Sequence, residues 1–154
     1  MILTILGTGN ATATKCYNTC FTLSEGDEYF LIDGGGGNAI LNQLSKADIS
    51  IKNIKHIFVT HKHIDHLLGI IWLIRIICQH LNHGKFTHNV FLYAHVELIK
   101  IISDISSTLL QENQTQFINK KLFFVPVFDG EKYGIMGHDV NFFDIHSTKC
   151  KQFG

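Results

Sequence analysis

Thr60-His61-Lys62-His63-Ile64-Asp65-His66-Leu67-Leu68-Gly69 sets four metal-competent side chains, His61, His63, Asp65 and His66, within six residues. Before it runs His56-Ile57-Phe58-Val59-Thr60, short and rich in β-branched residues, which predicts a buried strand. After it runs Leu67–Asn82, apolar nearly all round, which predicts a largely buried helix. The cluster thus falls at the carboxyl end of a strand, where open α/β sheets place their sites. In extended chain, residues two apart project to the same side, so His61 and His63 can grip one ion. The turn into the helix swings Asp65 and His66 toward a neighbouring position, where the helix dipole favours a carboxylate. Imidazole suits zinc, manganese and iron, and the carboxylate adds a hard oxygen. The bland alternative is a polar loop that happens to hold three histidines, and clustering this tight argues against it.

Working outward, the first third is strand-like. Ile2–Leu6 is stopped by Gly7-Thr8-Gly9, Tyr17–Leu23 alternates, and Tyr29–Ile32 ends in Asp33 and four glycines, Gly34 to Gly37. Ile40, Leu41 and Leu44 mark a helix with Asn38 as its N-cap. Val90–Ala94 reads as a strand and Val96–Leu110 as a helix. Leu122–Phe128 reads as a strand that Pro126 bends or confines to an edge. Asp139–Ile145 reads as a last strand leading into His146. Strands first and mixed βα units later predict a layered α/β protein of one domain, residues 1–154.

The 154 residues carry thirteen Lys+Arg against thirteen Asp+Glu, which excludes a strongly basic nucleic-acid module as a global description. Any RNA contact must come from a local patch, for which Lys149 and Lys151 are candidates. No stretch reads as a targeting signal, and Leu67–Cys78, interrupted by Arg75, falls short of the roughly 20 residues that span a bilayer. No membrane contact and a cytoplasmic location are therefore expected. Cys16, Cys20, Cys78 and Cys150 read as free, reduced thiols; approach of Cys150 to a metal is the minor reading. His80, His83, His88 and His95 read as surface or loop residues, and His56 and His138 are assigned to no metal.

The decapeptide resembles the signature of the metallo-β-lactamase-fold hydrolases, and other segments resemble their ribonuclease Z-like branch. Ile5-Leu6-Gly7-Thr8-Gly9-Asn10-Ala11 is similar to that branch's opening loop, Leu31-Ile32-Asp33-Gly34-Gly35 to its strand-ending Asp-Gly element, and Asp144-Ile145-His146-Ser147 with Gln152-Phe153-Gly154 to a later histidine segment. The resemblance implies a four-layer αββα sandwich, of which these residues form the N-terminal half or so. It implies that His61, His63 and His146 hold one metal, that Asp65 and His66 belong to a second, and that Asp33 braces the histidine loop. It implies Zn2+, one or two ions per site, with Mn2+ or Fe2+ as alternatives. The reaction implied is hydrolysis of a phosphodiester, RNA included, by a metal-bound hydroxide, with Asp65 orienting the nucleophile. Two rivals stay open: a hydrolase of another ester (a sulfate ester, lactone or cyclic nucleotide), and a catalytically incomplete metal-binding module.

The family's later motifs supply an aspartate and a final histidine that these residues do not contain, so a domain truncated at its C-terminal end is expected. Three imidazoles meet the ligand count of a catalytic zinc, whereas Asp65 and His66 alone are too few, so a strong first site and a weak second one are expected. A sheet built to pack on a second sheet should leave apolar surface uncovered, with Phe21, Phe30, Phe58, Phe123, Phe124, Phe142 and Phe143 among the candidates, so a homodimer is expected. Gly34–Gly37 reads as a turn needing φ > 0 and close approach to the metal loop, with a phosphate cradle as the alternative.

Overall fold

The computed structural model describes all 154 residues. Six strands form one sheet in sequence order. β1 (Ile2–Gly7), β2 (Cys20–Glu25) and β3 (Glu28–Ile32) make an antiparallel meander. From β3 onward, β4 (Ile54–Phe58), β5 (Val90–His95) and β6 (Leu122–Val127) are parallel. Parallel neighbours require crossovers, which here carry α1 (Ile40–Lys46), α2 (Ile64–Asn82), α3 (Val96–Leu109) and the single turn α4 (Glu112–Thr115). β7 (Lys132–Ile135) and β8 (His138–Asn141) form a separate hairpin.

Two apolar clusters divide the sheet. On the helix side, a cluster of 24 buried residues joins Leu31, Ile57 and Leu92 of the strands to Ile70, Ile74 and Ile77 of α2. By length and composition α2 could cross a membrane, but nine of its nineteen residues are buried in the protein. On the other side, Phe30, Ile32, Phe58 and Tyr93 meet Ile135, Phe142 and Phe153. The face expected to lie bare is thus partly covered by the hairpin and the closing segment. Phe142 is fully buried, its ring 4.6 Å from Phe58 and 5.3 Å from Tyr133. Phe143 is 52% exposed.

Several sequence expectations are corrected. The strand expected over 139–145 stops at Asn141 and pairs with β7, a strand not anticipated. The hairpin between them turns at Met136 and Gly137, both at positive φ (52° and 77°), the pattern of a type I′ turn. Ala39, not Asn38, caps α1, without a side-chain bond. α2 starts at Ile64 rather than Leu67. His95 is buried at 3% exposure, not on the surface, and its Nδ1 accepts from the Leu98 amide at the start of α3.

Burial has a measurable consequence. His56, His80, His88 and His95 are each pushed below the ordinary histidine pKa, chiefly by desolvation. Their folded pKa lies below the unfolded one, so the unfolded chain binds more protons as pH falls through about 6.5. Their contribution is full above that pH and is lost below it. His61 is lowered in the same way, and His66, raised by its bond to Asp33, acts oppositely but is one group against five. We expect the melting temperature, followed by circular dichroism, to fall between about pH 6.5 and 5. A flat profile over that range would contradict neutral burial of these rings.

Candidate metal centre

The parallel strands end in register, and their carboxyl ends carry the site. Asp33 follows β3 with its amide donating to the Phe58 carbonyl (2.8 Å), and Val59 donates to Tyr93 (3.0 Å). His95 ends β5. Asp33 sits at φ 59°, a left-handed conformation that Asp tolerates better than most residues. This bend turns the carboxylate, 4% exposed, inward.

There it serves two histidines. Oδ1 accepts the Thr60 amide (2.9 Å), and Oδ2 accepts the Thr60 hydroxyl (2.8 Å) and His66 Nδ1–H (2.7 Å). The Thr60 hydroxyl proton is therefore committed to Asp33, so His61 Nδ1–H donates to Thr60 Oγ1 at 2.8 Å. Both relays fix a tautomer. Each ring is held through Nδ1 with its Nε2 turned away from that anchor, the arrangement by which metal-binding histidines are oriented. His61 Nε2 faces His63 Nδ1 at 3.0 Å, and His66 Nε2 lies 3.4 Å from Asp65 Oδ2. The ring centroids of His61 lie 4.6 Å from His63 and 4.2 Å from His66.

Local charge is consistent with that role. Burial pushes His61 below its ordinary pKa, with the neighbouring His66 acting in the same direction, so its imidazole is neutral near pH 7. The hydrogen bond to Asp33 raises His66. Asp65 is in the first turn of α2, for which His63 is the N-cap.

A glycine contact sets the distance between the two loops. Gly34 donates to the His66 carbonyl (2.8 Å) and Gly69 to the Gly35 carbonyl (2.9 Å). A Cβ on Gly69 would overlap the Gly34 carbonyl oxygen, so only glycine allows α2 to approach. Tyr17, which sequence reasoning missed, locks the other side: its hydroxyl lies 2.8 Å from the carbonyl oxygens of both Gly34 and Gly37. It is brought there by Gly9, which bonds to Tyr17 and Thr19. The Gly34 and Gly37 amides thus serve packing, with Gly37 donating to Tyr17 Oη at 3.3 Å.

The closing segment doubles back over the histidines. Phe143 and Gly154 exchange backbone bonds (3.1 and 2.9 Å), Ile145 donates to Gln152 (3.0 Å), and Phe153 donates to the Thr60 carbonyl (3.0 Å). Phe153 is buried and stacks on His95 at 5.6 Å. His146 stands apart from His61 and His63. It is at φ 53°, its side chain is 84% exposed, and its Nδ1 is 3.9 Å from Asp144 Oδ1. The donor atoms that gather within 4.8 Å of one another are those of His61, His63 and Cys150. A groove of about 470 Å³ lined by Lys62, His63, Asp65 and Ala11 opens beside them. A second, of about 420 Å³, includes Asp33, Thr60, His66 and Gln152.

The family described as Anti-Pycsar protein Apyc1 matches residues 1–152. Among curated proteins, a ribonuclease Z of Methanococcus aeolicus is 30% identical over 155 residues, covering 97% of this chain and 45% of that protein. A ribonuclease Z of Methanothermobacter thermautotrophicus is 42% identical over 71 residues, 46% of this chain and 22% of that protein. The chain thus spans less than half the length of these relatives. Among solved structures, the short form of human tRNase Z superposes with a TM-score of 0.70 at 21% identity, covering 99% of this chain and 62% of that one. A diphosphatase of the PhnP family gives 0.71 at 18% identity, covering 99% and 60%. These likenesses, with that of the metallo-β-lactamase-fold protein YhfI of Bacillus subtilis (0.68, 18%, covering 98% and 56%), establish the fold.

The glycine contact is open to a direct test. Gly69→Ala should lower stability to urea by about 1–3 kcal/mol, as overpacking does. Gly37→Ala, where the added Cβ meets nothing within 4 Å, should leave it nearly unchanged. Equal effects would contradict the close approach.

Proposed function

The chain belongs to the family described as Anti-Pycsar protein Apyc1, and from that membership and its metallo-β-lactamase fold we propose that it acts as a metal-dependent phosphodiesterase. The observation that carries the reading is the single buried carboxylate, Asp33, that orients His61 through Thr60 and His66 directly. Residues arranged only for packing have no need to hold two imidazoles by Nδ1 with each Nε2 turned toward His63 or Asp65. The donor set fits a borderline divalent ion, Zn2+ first, with Mn2+ or Fe2+ as alternatives. When bound, such an ion supplies water of lowered pKa and polarises the scissile group.

His61 and His63 hold the first position, completed by a donor from the closing segment, which carries both His146 and Cys150. Asp65 and His66 contribute to the neighbouring position, with too few ligands of their own for tight binding. Asp65 orients the attacking water by accepting its hydrogen bond. Lys62, in the groove shared with His63 and Asp65, offers a cation to the substrate's phosphate. The ribonuclease Z relatives support RNA as a substrate. With net charge zero, contact with RNA is local, through Lys62, Lys149 and Lys151. A homodimer belongs to the same proposal, since Leu3 and Ile5 are exposed on the edge strand β1.

Elemental analysis of purified protein should find about one ion per chain, lost in His63→Ala. Hydrolysis of bis-p-nitrophenyl phosphate should vanish with chelator and in His63→Ala, and return when metal is restored to the wild type. Asp33→Asn, which exchanges an acceptor for a donor, should weaken metal binding by roughly 10–100-fold. Metal binding without turnover of this ester, an RNA or a cyclic nucleotide would leave a binding module and defeat the enzymatic reading.

A further inference from the structure

Resting on the metal-dependent reading above, we propose that His95 is a positioning residue for the closing segment: its buried Nε2–H is the latch that takes the Lys151 carbonyl when His146 turns in to the metal position. His95 ends β5 and is 3% exposed. Its Nδ1 accepts the Leu98 amide at 3.3 Å, so that nitrogen carries the lone pair. Burial holds the ring below the ordinary histidine pKa and so neutral near pH 7. The one ring proton therefore sits on Nε2, and this buried N–H has no partner. A buried donor left unpaired is costly and rare in folded proteins, so it needs a reason.

One free acceptor faces it. The Lys151 carbonyl is the backbone group directed at the ring, short of hydrogen-bond geometry, and no other backbone donor takes it. The carboxylates that act on the ring are engaged elsewhere. Asp144 Oδ1 receives the His146 amide at 2.8 Å, and Glu97 Oε1 lies 4.0 Å from Lys151 Nζ. Lys151 Nζ is also 5.9 Å from the centroid of the Phe153 ring, which itself stacks on His95. Lys151 is thus already drawn toward the ring whose proton is unpaired.

The register of the closing segment connects this bond to His146. Its two arms pair Phe143 with Gly154 and Asp144 with Phe153, and Ile145 donates to Gln152. Carried one place further, the same register sets His146 opposite Lys151. His146 is turned to solvent here, with φ 53° and its side chain 84% exposed. The displaced histidine and the unpaired N–H are two signs of one condition: the arms are pinned as far as Gln152 and not beyond. A bond from His95 to the Lys151 carbonyl extends the pinning to the residue facing His146. It ties the backbone that carries this imidazole to the end of β5, beside the strand that leads to His61 and His63. Metal-binding histidines are oriented by such partners, and here the partner acts through the backbone.

Zn2+ titration against a chromophoric chelator separates this inference from the reading beneath it. His95→Phe keeps a ring against Phe153 but has no N–H, and His95→Asn keeps an acceptor for the Leu98 amide. Both should bind Zn2+ roughly 10-fold more weakly than wild type, with unchanged circular dichroism. In a His146→Ala background neither should weaken binding further, because His95 acts only through His146. Equal losses in the two backgrounds, or wild-type affinity in either His95 variant, would overturn the latch and leave the metal reading intact. No Zn2+ bound by wild type would overturn both. Imidazole 15N–1H spectra supply a readout that a merely structural role does not move and that needs no variant at His95. The Nε2–H proton of His95 should shift downfield when wild type is loaded with Zn2+, and should not shift in His146→Ala. A resonance that stays in place in wild type, or shifts equally in both proteins, would also overturn the latch.

Discussion

The buried carboxylate of Asp33 is the constraint from which the rest of the site follows. An ionised carboxylate removed from water is costly unless it is paired and hydrogen-bonded. Here three donors meet it: the Thr60 amide, the Thr60 hydroxyl and His66 Nδ1–H. Two of them come from one residue at the end of β4 and the third from the first turn of α2, so the carboxylate fixes the strand-to-helix junction as well as itself. Hydrogen bonds to charged groups contribute about 1.5–3 kcal/mol each. The same bonds settle which nitrogen of His61 and of His66 carries a proton. Stability of the junction and orientation of the imidazoles are therefore one interaction.

That junction can exist only if the backbone of the preceding loop comes unusually close to the helix. Gly34 and Gly69 provide the approach, with reciprocal backbone bonds between the glycine loop and the start of α2. Tyr17 closes the loop from the opposite side. The antiparallel half of the sheet thus has a function beyond covering the core. Its β1–β2 connection delivers Tyr17 to the glycine loop, and the glycine loop sets the depth at which the histidines sit.

How much of this was legible varies by kind of signal. The strand–HxHxDH–helix order was readable because residue type, period and spacing all act within ten residues, and His61, His63, Asp65, His66 and Asp33 do gather at one sheet edge. The close approach at the Asp-Gly element was readable because glycine runs have few other uses. Tyr17 was not, since a tyrosine in an alternating run looks the same whether its hydroxyl reaches a loop or water. The β7–β8 hairpin was missed because Lys132–Ile135 is short and its Met136-Gly137 turn is not the usual Asn-Gly. His95 was misplaced for a related reason: a histidine at a strand end looks polar, and only the fold shows Phe153 stacked over it. The relation of Cys150 to His61 and His63 depends on a segment doubling back, which no local pattern encodes.

Thr60 shows how the two faces of the sheet come to act on the same place. Its amide and hydroxyl are given to Asp33, on the loop that the helix-side core positions through Gly34 and Gly69. Its carbonyl receives the Phe153 amide, from a residue buried in the opposite cluster with Phe30, Phe58 and Phe142. The helix-side core therefore sets the histidines, and the aromatic face sets the segment that closes over them. Loosening the aromatic face should leave the His61–Asp33 relay standing while freeing the closing segment. The reverse does not hold, because the closing segment hangs on a carbonyl whose orientation Asp33 already fixes. Order at the site runs in one direction, from the buried carboxylate outward.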